Sequence, residues 1–363
     1  MTNVEVVPEP PSRVEQDDSI RLITDNAQRI MTWNYDRDRG QLVTLYNKAM
    51  ASQWNSVTDL DWATDVDPEK LVMTNPSPVQ RIIAAATKIP GSPIRSWGEK
   101  ELTTAGVEFM KASLSQFMHG EQGAMLTAAK IVETVPWIDA KYYAASQVMD
   151  EARHVEVFAR YLDTKLDGHY PVNANLQLLI DDILGDSRWD MTYMGMQIMV
   201  EGLALAAFGF MHQMTTEPLL KKLLRYVMSD EARHVAFGVL SLQEFYQELN
   251  SSEIRERQEF AFEAAVRMRD RFLQQEVWER MGVDVKEALT LVLQDDGRKM
   301  FQNILFSKIV PNCKKLGLLD AADGWLRERF TELGVIQFED WVDTGAEYDS
   351  LDEVASDRAA ASA

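Results

Sequence analysis

Five histidines occur in this chain, and two of them, His154 and His234, have a glutamate three residues earlier, Glu151 and Glu231. On a helix that spacing puts carboxylate and imidazole on one face about a turn apart, converging on a common point. At the same position His119, His169 and His212 have Gln116, Leu166 and Gly209. Both pairs lie in one hexapeptide, Asp150-Glu-Ala-Arg-His-Val155, which recurs as Asp230-Glu-Ala-Arg-His-Val235 at an offset of 80. Glu121 and Glu201 share that offset. Two copies are too few for a solenoid and point to a pseudo-symmetric pair of helical hairpins.

The elements that must carry these residues are helical. From residue 101 onward Leu, Met, Ala, Glu, Lys and Arg recur at helical periodicity, so the fold class is all-α. One helix spans 101–135 and stops at Pro136; its partner spans 139–166. A second hairpin follows at 190–213 and 218–249. Glu121 lies fifteen residues before Pro136 and Glu151 fifteen after. At about 1.5 Å per residue, both stand about 22 Å from the turn. Glu201 and Glu231 are centred on Thr216 in the same way, so two packed hairpins place four carboxylates and two imidazoles in one layer.

Four buried carboxylates without partners would cost several kcal/mol each, and no matching set of basic residues faces them. Two divalent cations balance four negative charges, with one imidazole for each. Hard oxygen donors, imidazole and no thiolate suit iron or manganese, with zinc compatible.

A glutamate plus a Glu-x-x-His pair on each of two hairpins resembles the ferritin-like di-iron carboxylate bundles. The doubled Asp-Glu-Ala-Arg-His is similar to the oxygen-activating branch: monooxygenase hydroxylases, ribonucleotide reductase small subunits, desaturases and arylamine N-oxygenases. The resemblance covers roughly 101–249. It implies Glu121, Glu151, His154, Glu201, Glu231 and His234 as metal ligands. Asp150 and Asp230 would each accept the remaining ring N–H of a ligand histidine, that of the opposite motif, with Arg153 and Arg233 as their partners. The bland alternative for these four charged residues is surface ion pairing.

The sequence departs from each branch's own pattern. Phe158 stands four residues after the first histidine, where ribonucleotide reductase small subunits carry a radical tyrosine. Leu205 replaces the threonine of the hydroxylases, and Val227 replaces the third histidine of the N-oxygenases. Phe117, Met125, Phe158, Leu205, Phe208 and Phe237 lie near one turn from a ligand position and are pocket candidates, although aromatic and Met residues at helical spacing are more often plain core. Gln197, one turn before Glu201, is a candidate for orienting a ligand or an ordinary buried amide. Tyr161 and Tyr193 read as scaffold, and Trp33, Trp54 and Trp62 as packing anchors rather than an electron wire.

The expected activity is therefore O2-dependent hydroxylation, N-oxygenation or desaturation of a small organic substrate. Two irons, or a mixed manganese–iron pair, would serve as cofactor. No flavin, nicotinamide or iron–sulfur motif is present, so an external reductase or ferredoxin would supply the electrons. The alternatives are a radical-generating protein like a ribonucleotide reductase small subunit, a ferroxidase or iron-binding protein, and a two-zinc hydrolase.

Composition bounds the rest. Across 363 residues, 37 Lys and Arg face 57 Asp and Glu, a formal charge of -20, which disfavours nucleic acid and anionic membrane surfaces as partners. A single cysteine, Cys313, fits a cytoplasmic protein and excludes thiolate zinc and iron–sulfur sites. The apolar stretch 194–211 is interrupted by Gln197 and Glu201 and reads as a buried helix rather than a membrane span. Along the chain we expect a disordered acidic lead (1–20), N-terminal helices and loops wrapping the core (21–100), the four-helix bundle (101–250), C-terminal helices packed on it (251–335) and an acidic tail (336–363). A homodimer is the expected assembly.

Overall fold

The computed structural model describes residues 20–74, 77–293 and 296–348, and among these there are helices and connecting turns but no strand. The acidic lead up to residue 19 and the end of the tail, 349–363, lie outside the described residues. Helices α1 (Gly40–Ala51), α2 (Pro68–Thr74) and α3 (Pro78–Ala86) precede the core. Although residues 61–78 are rich in turn-forming types, α2 forms among them, opened by Pro68 at a position where a missing N–H is harmless.

The first core hairpin is α4 (Glu99–Thr134) and α5 (Ile138–Lys165). The Glu101 side chain accepts the Gly98 N–H at 2.9 Å to open α4, and Val135 goes extended ahead of Pro136 to close it. After α5 the chain reverses through Asp167 and Gly168, both at positive φ, into α6 (Ala174–Gly185). The second hairpin rises through α7 (Trp189–Tyr193), a π-helical stretch (Met194–Val200) and α8 (Glu201–Met214), and returns along α9 (Pro218–Glu248). Glu217 caps α9 by accepting the N–H groups of Leu219 at 2.7 Å and Leu220 at 2.6 Å. The Tyr161 hydroxyl donates to that same carboxylate at 3.0 Å and so ties α5 to the start of α9.

Residues Trp189–Met214 have the length and apolarity of a membrane span, yet 83% of the most apolar window is buried inside the protein, as expected of a core helix. The two hairpins pack on each other to make the bundle, and α1 lies across α5 and α9.

Beyond the bundle come α10 (Ser251–Asp270), α11 (Gln275–Arg280), α12 (Val285–Leu293), α13 (Asp296–Leu305), α14 (Ile309–Lys315), α15 (Trp325–Glu332) and α16 (Thr344–Glu347). Helical periodicity over 253–281 predicts a single helix, but the chain is broken after Asp270 by a 3-10 turn, Arg271–Leu273, and by Gln274 at φ +48. Gln274 holds this left-handed backbone through its side chain, which donates to Phe109 O at 3.1 Å and Ser113 Oγ at 2.7 Å. Pro311, inside the helical run 298–315, predicts a kink there, but the break falls earlier, between α13 and α14, and leaves Pro311 in the first turn of α14, where its nitrogen has no carbonyl to serve. Residues 336–348, which composition groups with the acidic tail, include α16, whose buried Thr344 bonds Asn312 through both backbone and side chain.

Candidate metal centre

Glu121 comes from α4, Glu151 and His154 from α5, Glu201 from the first residue of α8, and Glu231 and His234 from α9. All six are buried, none more than 5% exposed. Their ligand atoms form two groups, each spanning no more than 4.8 Å: Glu121, Glu151, His154 and Glu231 in one, and Glu151, Glu201, Glu231 and His234 in the other. Glu151 and Glu231 belong to both. His154 Nδ1 stands 3.2 Å from Glu151, 3.1 Å from Glu231 and 3.5 Å from Glu121. His234 Nδ1 stands 3.0 Å from Glu151 and 3.7 Å from Glu231.

The far side of each ring fixes which nitrogen faces the centre. His154 Nε2 lies 3.0 Å from Asp230 Oδ2, and His234 Nε2 lies 3.3 Å from Asp150 Oδ2, so each histidine meets the aspartate of the opposite motif. Burial alone would raise Asp230, but the charge of Arg233 and the bonds to His154 and Arg153 hold its carboxyl well below the usual range. An ionised carboxylate can only accept, so Nε2 carries the hydrogen, and with a metal present Nδ1 presents its lone pair to the centre.

Both aspartates share Arg153, whose Nη2 donates to Asp150 at 2.6 Å and to Asp230 at 2.9 Å. Arg233 donates to the other oxygen of Asp230. Two further partners follow the end of α1: Gln53, which no sequence feature marked, and Trp54, expected from the sequence to be a packing anchor. Gln53 donates to Asp150 at 2.9 Å, and the Trp54 indole donates to Asp230 at 2.7 Å with its ring 6.4 Å from that of His154. No repeat or spacing marks these residues; only the fold brings α1 across the bundle.

Several donor atoms lack the partner that their burial demands. Both oxygens of Glu231, Oε2 of Glu201 and Nδ1 of His234 make no hydrogen bond, although they crowd one another. Burial, and then the charges of neighbouring carboxylates, push Glu121 and Glu201 well above the ordinary carboxyl range. Burial pulls His154 and His234 down, but the surrounding carboxylates outweigh it and raise both. Hard anionic oxygens and imidazole nitrogens converging without partners are what two divalent cations would satisfy, so the residues present fit a dinuclear metal group.

The two halves of the centre are not equivalent. Gln147, one turn before Glu151, donates to Glu151 at 3.0 Å and to Glu201 at 2.9 Å, and Gln197 reaches Gln147 at 3.4 Å. The offset equivalents of Gln147 and Gln197 are Val227 and Phe117, which are apolar. The π-helical stretch contributes to the difference, since the N–H of Glu201 bonds Met196 O five residues back and the wider coil re-aims Gln197.

On the opposite side a small space of about 10 Å³ is lined by Glu121, Glu201, Glu231, Phe117, Phe208 and Arg271, among others. A larger apolar cavity of about 150 Å³ begins on the far side of Phe117. Of the pocket candidates, Phe117 lines both spaces and Phe208 the inner one. Phe158 stacks behind them, 5.8 Å from Phe208. Met125, Leu205 and Phe237 line neither space; Phe237 faces the other way, 4.3 Å from Tyr143 and 4.9 Å from Tyr193.

A helical bundle whose two donor clusters share two carboxylates has the architecture of the ferritin-like dinuclear carboxylate proteins. Among solved structures the chain is similar to an R2-like ligand-binding oxidase. A variant with an aerobically reconstituted Mn/Fe cofactor is 16% identical with a TM-score of 0.52, covering 77% of this chain and 94% of that one. A variant with an anaerobically reconstituted Mn/Fe cofactor is 18% identical with the same TM-score and coverage. At these identities the likeness establishes the fold. No protein-family model and no curated protein matches the chain.

Proposed function

We propose that this protein is a non-haem dinuclear-metal oxidoreductase that uses O2 to oxidise a small organic substrate. The observation carrying this reading is the pair of overlapping donor clusters sharing Glu151 and Glu231. Glu121 and His154 would hold one ion and Glu201 and His234 the other, with Glu151 and Glu231 common to both. Two irons are the first choice and a manganese–iron pair the second, the latter being the cofactor named for the structural relatives. When bound, such a pair supplies redox chemistry that no side chain can, namely the reduction of O2.

The chain's own residues shape that chemistry. Asp150 and Asp230 fix the orientation and tautomer of the two histidines. Gln147 holds Glu151 and Glu201 in place and makes one wall polar. The inner space of about 10 Å³ has room for one water-sized molecule, and Phe117 and Phe208 keep bulk water from it.

Electrons would come from an external reductase or ferredoxin. Trp54, expected from the sequence to be a packing anchor only, is hydrogen-bonded through Asp230 to His154, and this chain would give electrons a route from the α1 side toward the centre. We also infer a cytoplasmic homodimer. Anaerobic loading with ferrous iron, followed by metal analysis and O2-uptake measurement with a chemical reductant, tests the reading. About two metals per chain are expected from the two clusters, together with O2 uptake that depends on them. Protein that binds no iron, or binds it without consuming O2, would overturn it.

The same Trp54 chain favours one second reading, a radical-generating subunit that serves a separate catalytic protein. A long-lived organic radical after mixing with O2 would support it, although Phe158 occupies the position where such subunits carry the radical tyrosine.

A further inference from the structure

We propose that Arg271 is a specificity-determining residue which selects substrates pairing a carboxylate with a ring-sized apolar body. This rests on the oxidoreductase reading and names the substrate class for that site. Arg271 is 2% exposed, and its Nε and Nη2 have no hydrogen-bond partner. It forms no ion pair among the described residues, whereas Arg153, Arg233 and Arg257, whose side chains are also largely shielded from solvent, are paired. Arg153 and Arg233 bind Asp230, and Arg257 binds Asp190 at 2.9 Å. Burial lowers the Arg271 pKa to about 10, with the nearby Glu121 charge opposing, so the guanidinium stays charged at neutral pH. Once metals neutralise the glutamates of the centre, a buried guanidinium with no ion-pair partner is costly, and a ligand carboxylate would remove that cost through paired N–H donors.

The position of Arg271 is as informative as its isolation. It lines the inner space beside Glu121, Glu201 and Glu231, and its Cζ lies 5.8 Å from the Phe117 ring and 4.9 Å from the Phe272 ring. Phe117 lines both spaces and Phe272 the outer one, so the guanidinium, which lines the inner space, packs against two rings of the outer cavity's wall. The break in α10 puts it there, and the Gln274 bonds to α4 hold that break in place. Gly120 leaves room alongside, since even an added Cβ would lie 4.0 Å from Arg271 Nη1.

The outer cavity of about 150 Å³ is lined by Phe109, Phe117, Phe210, Phe272 and Phe301, with several methionines between them. An apolar cavity of that volume accepts one benzene-sized body. The Phe210–Phe301 and Phe272–Phe301 centroid spacings of 5.1 Å and 5.6 Å are those at which aromatic rings meet edge to face, so a further ring suits this wall.

The test is anaerobic calorimetric titration of the metal-loaded protein with benzoate, its neutral isostere benzamide and the long-chain carboxylate decanoate. Wild-type protein should bind benzoate at least about tenfold more tightly than benzamide, and more tightly than decanoate. Arg271→Gln should erase the benzoate-over-benzamide preference, and Arg271→Lys, which keeps the charge, should retain most of it. Three results would overturn the proposal: no such preference in wild type, an unchanged preference in Arg271→Gln (a carboxylate binding the metals alone), or a preference for decanoate. If Arg271→Gln fails to fold, the wild-type and Lys titrations still decide, because loss of the preference in folded Arg271→Lys also counts against it. Binding is read without turnover, so a failure of O2 chemistry does not alter this outcome.

Discussion

Glu151 and Glu231 contribute to both donor clusters, whereas Glu121 and Glu201 contribute to one each. Their alanine variants should therefore differ in kind. Glu151→Ala or Glu231→Ala should leave well under one metal per chain, while Glu121→Ala or Glu201→Ala should lose about one, as metal analysis after desalting would show. Full metal content in both Glu151→Ala and Glu231→Ala would remove the basis for a shared centre. The residues behind the ligands predict a smaller effect. Asp230 accepts from His154, Trp54 and Arg153 through Oδ2 alone. Asp230→Asn keeps the shape but removes the charge that sets the His154 tautomer, so metal affinity in competition with a chelator should fall by about tenfold to a hundredfold. Affinity within a factor of two of wild type would mean that the His154 tautomer is set elsewhere.

The helix carrying Glu201 is where regular geometry is given up. The π-helical stretch Met194–Val200 precedes the ligand, so the spacing between Glu201 and Glu231 survives while the residues before it turn toward Gln147 and α9. This arrangement needs close approach on α9. A Cβ at Gly238 would stand 2.6 Å from Gln197 Cβ and 3.1 Å from Ile198 Cδ1. Gly238→Ala should therefore destabilise by about 1–3 kcal/mol through overpacking. Gly209→Ala, where the nearest atom is the flexible Met228 Cε at 3.6 Å, should be neutral or stabilising by up to about 1 kcal/mol. Denaturant unfolding of the two variants checks the contrast, and equal destabilisation would mean that the π-helical stretch does not depend on this contact.

At the scale of the molecule, what could be read in advance was what repeats. The doubled hexapeptide and the offset of Glu121 and Glu201 placed both hairpins and the six converging residues, because helical periodicity and equal arm lengths fix height and face. Gln53, Trp54, Gln147 and Arg271 have no counterpart at the offset and reach the centre only through packing or a broken helix, so no pattern pointed to them. The formal charge of -20 includes four acids that sit at the centre, buried together, as the doubled motif implies. Without metal, that centre must balance its charge with protons. Glu121 and Glu201 are raised well above 4.5 by burial and neighbouring carboxylates, and His154 and His234 are raised well above 6.5 because those carboxylates outweigh burial. As pH climbs past those two values the unfolded chain releases protons that the folded chain keeps, so metal-free stability falls with rising pH. Glu151 and Asp230 are depressed because their cationic neighbours outweigh burial, so their contribution is lost only at the acid end. Divalent ions displace the retained protons, which makes metal binding tighter as pH rises. The gap in Tm between metal-loaded and metal-free protein should therefore widen from about pH 6 to about pH 8. Calorimetry at fixed free metal measures this gap, and loading in weak buffer should release protons in parallel. A gap that stays constant or narrows would mean that something other than protons, such as Arg271, balances the empty carboxylates.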